Sequence, residues 1–442
     1  MDGRAGSDDD TGSSTPPTVT NCHRHVILSP DGVEEGVERL ILNRNSVPRP
    51  NPPSVDDPIR RAVASIRGLG TAVPHHGVNY VDGARMAGRM SCDDAAQQRT
   101  VTALYRRTRI ENRGSVLLCP EGDAGRFGEF YPHPENPDDR GPATAKRCER
   151  YADEAPRLAH RSARAALDDA GVEADDVTHL VTVSCTGFSA PGVDVALIDG
   201  LGLPPTTQRV AVGFMGCHGA INGLRAAAAI AASDPAAVVL MTSVELCSLH
   251  YQYGFDPDRI VSGSLFADGS ASAVVAAPTA VTSTGMTANG STPNAASSSN
   301  TPLPSIAATG SMLVPDSREE MTWRIGDNGF EMTLSARVPA LIEAHLAAYL
   351  DDFLRCNNLQ RSGIGGWAVH PGGPRILDAA AAALDLSAEQ LATSRAVLRD
   401  HGNMSSATMM FILRRFRDAD VPPPYLMLGF GPGLEIEVAL LA

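Results

Sequence analysis

The residue best suited to covalent chemistry is Cys217, which stands at a bend between an apolar strand and a helix. Residues 208–216 (QRVAVGFMG) predict a buried strand, and the Ala-rich residues 220–232 predict a helix that begins just after the cysteine. A thiol at a helix N-terminus lies at the positive end of the helix dipole, which lowers its pKa and favours the nucleophilic thiolate. The pattern therefore suits a nucleophile, although a buried cysteine in a tight packing turn also explains it.

Two other motifs offer a base and an amide donor. His370 ends the strand predicted over 363–370 (GIGGWAVH), and Asn403 stands just before the apolar helix predicted over 407–416. Each has an ordinary explanation too, because a loop histidine can bond its own backbone and Asn is a common helix N-cap. His401 is a second candidate base. Together with the thiol, these residues would suit acyl transfer through a thioester, with His370 and Asn403 donating to a developing oxyanion or enolate.

The elements around these motifs alternate between helices and apolar strands. Helices are predicted over 149–170, 220–232, 337–354, 374–384 and 407–416, and strands over 178–187, 208–216, 236–246, 270–278, 363–370, 424–433 and 434–442. Alternation of this kind indicates an α/β layered fold. Because it occurs twice along the chain, it suggests two similar halves.

Two polar segments divide the chain. Residues 1–60 are rich in Pro, Ser, Asp and Asn, so we expect a disordered N-terminal tail. Of residues 281–310, 21 are Ser, Thr, Asn, Pro or Gly, a composition that predicts a surface loop rather than core. We therefore expect a first half over 61–280 that carries the candidate nucleophile, and a second half over 311–442 that carries the candidate histidine and asparagine.

The charge balance argues against a nucleic-acid-binding protein. The chain has 37 basic and 51 acidic residues and a formal net charge of −14, whereas general nucleic-acid binding needs basic side chains to neutralise phosphates. No apolar run reaches the roughly 18 residues of a membrane span. The first residues are polar and acidic, unlike a signal peptide, so we expect a soluble cytoplasmic protein.

Lysine and metal chemistry have little support in the sequence. Of the basic residues only Lys146 is a lysine, and it stands in a polar stretch, PATAKRCER, that we expect to be exposed. A Schiff base therefore has a single, unpromising candidate. The eight cysteines include no C-x-x-C pair and the twelve histidines no H-x-x-x-H pair, so we expect no metal site.

Four motifs in this order resemble those of type III polyketide synthases, the chalcone/stilbene synthase family of the thiolase superfamily. They are GFMGCHGAINGL around the cysteine, VHPGGPRIL around the histidine, HGNMSSAT around the asparagine, and GFGPGL after them. The resemblance covers residues 61–442 apart from the polar segment at 281–310. It implies a thiolase-like five-layer α-β-α-β-α fold built from two similar halves, and a homodimer.

The resemblance implies a role for each candidate residue. Cys217 would take the starter acyl group from CoA, and His370 would pair with it. With Asn403, His370 would also support decarboxylation of malonyl-CoA by stabilising the resulting enolate. Phe266 matches an aromatic gate between the CoA tunnel and the cavity in which the chain is elongated.

CoA recognition is implied at two further places. The loop that contains Gly372 and Gly373 matches a backbone segment that lies along the CoA arm. Plant members have lysine-rich side chains at the tunnel mouth, a position that only arginine can fill here. The candidates are Arg106, Arg107, Arg109 and Arg113. An ordinary solvated face explains this arginine cluster equally well.

Four positions of the gate and the cavity depart from the plant members of the family, and Ala190 replaces a methionine that reaches into the partner subunit. Met332 replaces a second gating Phe, Trp323 replaces a small residue of the cavity wall, and Cys185 and His250 replace threonines. A cysteine at position 185 resembles bacterial members. Trp323 and Met332 flank the turn signal IGDNG, so a hairpin can bring both side chains to one surface. For Trp323, a place in the protein core is the alternative.

The reaction implied is iterative decarboxylative condensation of malonyl-CoA onto an acyl-CoA or malonyl-CoA starter, followed by cyclisation to a pyrone, resorcinol or naphthalene-type product. No metal or redox cofactor is implied. A ketoacyl-ACP synthase III uses the same three residue types, but HGNMSSAT and GFGPGL favour the polyketide synthase. A cysteine hydrolase and a non-enzymatic thiolase-like binding protein are more distant alternatives.

Overall fold

The computed structural model describes residues 63–119, 126–278 and 302–442. Its helices are α1 (Tyr80–Ser91), α2 (Ala95–Arg107), α3 (Arg126–Phe130), α4 (Thr144–Ala170), α5 (Val193–Leu201), α6 (Gly219–Ser233), α7 (Pro257–Leu265), α8 (Val338–Cys356), α9 (Pro374–Leu384), α10 (Ala392–His401) and α11 (Thr408–Asp418). Its strands are β1 (Ala64–Ala72), β2 (Gly77–Val78), β3 (Arg113–Gly114), β4 (His179–Ser184), β5 (Gln208–Gly213), β6 (Val238–Leu246), β7 (Asp268–Ala276), β8 (Ser305–Leu313), β9 (Met321–Gly326), β10 (Gly329–Leu334), β11 (Gly366–Val369), β12 (Tyr425–Gly431) and β13 (Glu435–Leu441). Among these helices, none combines the length and apolarity needed to cross a membrane. The tail expected over 1–60 lies outside the described residues.

Nine strands form one continuous hydrogen-bonded sheet in the order β11-β12-β13-β8-β1-β7-β6-β4-β5. The first half of the chain supplies β1, β7, β6, β4 and β5, and the second half supplies the other four. The two sets meet where β1 pairs with β8, a contact of only two residue pairs, Ala64 with Ile306 and Ser65 with Ser305. Each set contains parallel neighbours, β4 with β5 and β6 in the first and β11 with β12 in the second.

Two buried helices, α6 and α11, join the halves through a shared core. Ile221 and Leu224 of α6 pack in one cluster with Met409 and Ile412 of α11 and with strand residues of both halves. Helices α4 and α5 pack on the outer face of the first half, and α8 and α9 on the outer face of the second. With α6 and α11 packed against strands of both halves of the sheet and the other four helices outside, the layers run helix, half-sheet, helix, half-sheet, helix, which confirms the five-layer thiolase-like arrangement.

Part of the polar segment expected as a loop over 281–310 is a strand. Strand β8 begins at Ser305, so residues 305–310 are not a loop, and residues 279–301 lie outside the described part of the chain. The polar composition led to the wrong prediction for residues 305–310 because β8 is only partly buried, so a strand there does not need an apolar sequence. It is held instead by backbone pairing with β13 on one side and β1 on the other.

Three helices that the sequence did not predict, α1, α2 and α7, pack against one another. Each begins with an acceptor side chain, Asn79, Asp94 or Asp256, that takes hydrogen bonds from two backbone N–H groups of the first turn. These N-cap residues are visible in the sequence and could have been used to predict the starts of the three helices.

Candidate active site

The elbow that carries Cys217 is shaped by a close backbone contact. After β5 ends at Gly213, positive φ angles at Phe214 (57°) and Gly216 (71°) lead into a short 3-10 turn that α6 continues. No side chain fits at position 216, because a Cβ there would overlap Cδ of Pro432. Cys217 is 8 % exposed and lines two adjoining cavities.

His370 and Asn403 reach the same place from the second half of the chain. His370 follows β11, and its backbone N–H donates to the carbonyl of Leu428 at 2.8 Å. Asn403 follows α10 and pairs with Phe266 in an isolated β-bridge. Together with Cys217, these two residues line one cavity of about 400 Å³. The structure therefore brings the three predicted residues together at the junction of the halves.

The three residues have hydrogen-bonding capacity left for a substrate. Within the described residues, neither ring nitrogen of His370 has a hydrogen-bond partner. Asn403 Oδ1 accepts from the Ser405 N–H at 2.9 Å, whereas Asn403 Nδ2 has a long contact of 3.5 Å with the Gly372 carbonyl. A bound thioester oxygen could therefore accept from both His370 and Asn403.

Burial sets the protonation of the nucleophile and the base. Burial raises the pKa of Cys217 to about 11, an effect that hydrogen bonds with Ser405 and Asn403 partly oppose. Burial lowers the pKa of His370 to about 3, and the charge of His218 adds to this lowering. At neutral pH the site therefore holds a thiol and a neutral imidazole. The sequence predicted a lowered thiol pKa, and this was wrong, because burial disfavours the charged thiolate and raises the pKa of Cys217.

Phe266 and Met332 lie at the junction of the smaller cavity and a larger one. Both side chains line the smaller cavity and also the larger one beside it. The larger cavity has a volume of about 1180 Å³, which includes the part that is open to solvent. Phe266 comes directly after α7. Met332 lies in β10, and its Sδ accepts a hydrogen bond of 3.5 Å from the Ser262 hydroxyl of α7. Phe266 thus lines both cavities, and its role as a gate stays a prediction.

Three aromatic rings form one wall of the larger cavity. His250 stacks on Phe330 with centroids 4.2 Å apart, and Trp323 meets both rings edge-on. His250 Nε2 donates to the Thr186 carbonyl at 2.7 Å, while its Nδ1 accepts from the Phe330 N–H at 3.0 Å. Trp323 Nε1 donates to the Cys185 carbonyl at 2.7 Å. Since every ring nitrogen already has a backbone partner, this wall is rigid and offers a ligand no ring donor. The sequence did not single out Phe330.

A buried carboxylate, Glu245, was also missed by sequence reasoning. It is fully buried near the end of β6. It accepts from the Cys185 N–H at 3.0 Å, the Cys185 thiol at 3.2 Å and the Thr186 hydroxyl at 2.8 Å. The Ser406 hydroxyl donates to it as well. Burial raises the pKa of Glu245. An acidic residue inside the apolar run VVLMTSVEL was the available signal.

The arginine cluster divides into exposed and buried members. Arg106, Arg107 and Arg109 are exposed, and none of them lines either of the two cavities. Arg113 is only 4 % exposed and donates through Nε to the Ser264 carbonyl at 2.8 Å. It lines the larger cavity. Its expected place at a solvent-exposed tunnel mouth was wrong, because its guanidinium is engaged inside the protein.

The rival catalytic candidates lie elsewhere. His401 closes α10, where its Nε2 is 3.3 Å from Nη2 of Arg415, and it lines neither cavity. Lys146 is exposed, with its ammonium 5.7 Å from the centre of the Phe130 ring. Neither residue can therefore act on a group held at Cys217.

His218, Glu435 and Glu437 approach one another closely enough to resemble a cation site. The Glu437 carboxylate, however, is already paired with the guanidinium of Arg225 and accepts from the side-chain amide of Asn222. A carboxylate satisfied by an arginine is a poor metal ligand, so this cluster is better described as a hydrogen-bonded network.

The similarity to known proteins agrees with this geometry. Residues 57–279 match the N-terminal domain of chalcone and stilbene synthases, and residues 305–442 match their C-terminal domain. The chain is 31 % identical over 380 residues to the alpha-pyrone synthesis polyketide synthase-like Pks18 of Mycobacterium tuberculosis. The aligned residues make up 85 % of this chain and 90 % of that protein.

A second relative and a solved structure support the same relationship. The 1,3,6,8-tetrahydroxynaphthalene synthase of Streptomyces peucetius subsp. caesius is 34 % identical over 287 residues, 64 % of this chain and 72 % of that protein. The crystal structure of PKS-I from the brown alga Ectocarpus siliculosus superposes with a TM-score of 0.75 at 30 % identity, over 86 % of this chain and 97 % of that one. The chain therefore belongs to the chalcone and stilbene synthase family and is a type III polyketide synthase, an acyltransferase that condenses malonyl-CoA iteratively.

Proposed function

We propose that Cys217, His370 and Asn403 are the catalytic residues of this polyketide synthase. The observation that carries the proposal is that all three line one cavity, where both ring nitrogens of His370 are without partners among the described residues. In loading, neutral His370 accepts the Cys217 proton as the sulfur attacks the thioester carbonyl of an acyl-CoA. The carbon–sulfur bond to CoA then breaks, and the CoA thiolate takes the proton back from His370.

The second step is decarboxylation of malonyl-CoA. When CO₂ leaves, its bonding electron pair becomes the enolate of acetyl-CoA, and negative charge develops on the thioester oxygen. A neutral imidazole keeps one N–H, so His370 and the Asn403 Nδ2 group can both donate to that oxygen. The enolate carbon then attacks the acyl group on Cys217, which forms the new carbon–carbon bond and releases the Cys217 sulfur.

CoA is proposed to approach from the side of the smaller cavity. Gly372 lines that cavity beside His370, and Gly373 follows it at the start of α9. Arg106 and Arg107 lie exposed at the end of α2, which packs on α7. Guanidinium groups suit the phosphates of CoA because they donate paired hydrogen bonds.

The product is proposed to be a pyrone, a resorcinol or a naphthalene-type ring. Support comes from the size of the larger cavity, which exceeds that of the catalytic chamber, and from the aromatic wall that bounds it. Trp323, His250 and the Cys185 backbone are tied together in that wall. They are therefore proposed to limit how far the growing chain extends.

A homodimer that forms through the edge of the sheet is also proposed. Strand β5 has β4 as its one neighbour in the nine-stranded sheet, and nearly all its residues are exposed. Val210 on this strand is 42 % exposed, and Phe188 is 56 % exposed. An uncovered edge strand with exposed apolar side chains invites a second chain. Light scattering should give twice the chain mass, and Val210→Glu should shift it toward the monomer.

No metal or redox cofactor is proposed, because thioester exchange, decarboxylation and condensation involve no electron transfer to an outside acceptor. The cytoplasm is the proposed location, since CoA thioesters are highly charged and do not diffuse across membranes.

The decisive experiment uses purified protein, malonyl-CoA and a panel of acyl-CoA starters without any acyl carrier protein. Mass spectrometry should detect polyketide products from the wild type and none from Cys217→Ala. Cys92→Ala is the matched control, because Cys92 is a free thiol outside the two cavities. Products that appear only when a carrier protein is added would favour the ketoacyl-ACP synthase alternative instead.

A further inference from the structure

We propose that His218 and Glu435 form a positioning pair that holds the Cys217 elbow in place against the strand that anchors His370. The proposal rests on the roles proposed above for Cys217 and His370. It concerns residues that neither the motifs nor the family match brought into the reaction.

His218 is lodged in a notch made by two glycines. His218 immediately follows Cys217, the proposed nucleophile, in the chain, and its side chain is fully buried. A Cβ at position 429 of β12 would lie 2.9 Å from the His218 Cβ, and one at position 431 would overlap the imidazole ring. Gly429 and Gly431 therefore make the space that the ring fills.

A hydrogen bond at Nδ1 and a longer polar contact at Nε2 hold the ring. Asn222 Nδ2 donates to Glu437 at 2.9 Å, so the Asn222 Oδ1 faces His218 and accepts from its Nδ1 at 2.8 Å. The other nitrogen, Nε2, lies 3.4 Å from Oε2 of Glu435. The contact with His218 lowers the pKa of Glu435, which keeps the carboxylate ionised.

The same strand holds the proposed catalytic base. The carbonyl of Leu428, next to Gly429 in β12, accepts the backbone N–H of His370 at 2.8 Å. A continuous chain of contacts thus runs from Cys217 through the His218 ring to β12 and on to His370. If the ring leaves its notch, the elbow is free to shift relative to the base, and proton transfer from the thiol becomes slower.

Two variants of Glu435 test this positioning role. Glu435→Ala removes the group that contacts Nε2, whereas Glu435→Gln keeps a polar group of nearly the same shape at that place. Asp378→Ala, which breaks an exposed ion pair with Arg395 between α9 and α10, is the control. Each protein is assayed for alkylation of Cys217 by iodoacetamide, followed by peptide mass spectrometry, and for decarboxylation of malonyl-CoA to acetyl-CoA.

We expect alkylation of Cys217 to slow by about 10- to 100-fold in Glu435→Ala, the usual effect of a misplacement of roughly 1 Å. Decarboxylation needs His370 and Asn403 but no thiol, so it should stay at the wild-type rate. Glu435→Gln and Asp378→Ala should behave like the wild type in both assays.

The proposal is overturned if Glu435→Ala alkylates at the wild-type rate, or if both activities fall together in Glu435→Ala and Glu435→Gln with a lower melting temperature. The second outcome would make Glu435 a purely structural residue. If the wild-type protein itself fails to decarboxylate malonyl-CoA, the proposed function fails, while the alkylation rates still decide the role of the pair.

Discussion

Trp323 and Met332 face each other directly across the hairpin of β9 and β10, as paired residues of its antiparallel register. Side chains at paired positions lie on the same face of a hairpin, and both line the larger cavity. The hairpin predicted from IGDNG is confirmed. The core alternative for Trp323 is wrong, because the residue is only half-buried. Trp367, at 1 % exposure, is the core tryptophan of this chain.

The contrast between the two tryptophans gives a matched test of the cavity wall. Trp367→Ala should lower the free energy of unfolding by about 3–5 kcal/mol, the usual loss for a buried aromatic ring. Trp323→Ala should lower it by clearly less and should let the enzyme accept longer starters or add more malonyl units. Thermal unfolding and product mass spectrometry with one acyl-CoA series measure both effects. Equal destabilisation with unchanged product length would contradict the cavity role.

Removing the nucleophile should separate the half-reactions. Cys217→Ala should lose starter loading and polyketide output by several orders of magnitude. It should still decarboxylate malonyl-CoA, because the proposed enolate stabilisers do not need the thiol. Intact-protein mass spectrometry reports the acyl-enzyme, and chromatography reports acetyl-CoA. Continued elongation in this variant would remove Cys217 from the mechanism.

The opposite separation is expected for the amide donor. Asn403→Ala should slow malonyl-CoA decarboxylation by roughly 10² to 10³, the effect of losing one donor to a developing oxyanion. Loading of Cys217 should survive, because the thiol and His370 remain. Intact-protein mass spectrometry again measures loading, and chromatography of acetyl-CoA measures decarboxylation. If Asn403→Ala cannot load a starter but still decarboxylates malonyl-CoA, the role proposed for Asn403 is wrong.

Acid should destabilise the fold through buried neutral histidines. Burial lowers the pKa of His250 to about 3, well below the value of about 6.5 for an unfolded chain. The folded state thus binds a proton at His250 less readily than the unfolded chain does. The contribution of His250 to the free energy of unfolding is therefore fully present above about pH 6.5 and is lost as the pH drops toward 3. His250→Gln should therefore reduce the loss of unfolding free energy between pH 7.5 and 5.0 by about 2 kcal/mol. Urea unfolding at the two pH values measures this, and an unchanged difference would argue against a buried neutral His250.

Much of the site could be predicted because its residues stand in local patterns. Cys217 and His370 each follow an apolar strand, and Asn403 precedes an apolar helix, so the position of each along the chain was readable. Phe330 and Glu245 were missed because each stands in an ordinary strand pattern. Their importance comes only from contacts with residues distant in sequence, which no local pattern reveals.

Charge and burial were the weakest inferences from the sequence. The four arginines of RRTRIENR look alike in the sequence, yet Arg113 is buried while Arg107 is exposed. Likewise, the helix start after Cys217 is visible in the sequence, whereas the burial that raises the thiol pKa depends on the packing of both halves.

The contact between Gly216 and Pro432 also bears on how the enzyme is made. Pro432 is synthesised more than two hundred residues after Gly216, so the elbow emerges from the ribosome long before its packing partner exists. Contacts of such large sequence separation form late and slowly in folding. A nascent chain would therefore expose an unsupported thiol with no base beside it, and covalent reactivity would be acquired only once the last strands have docked.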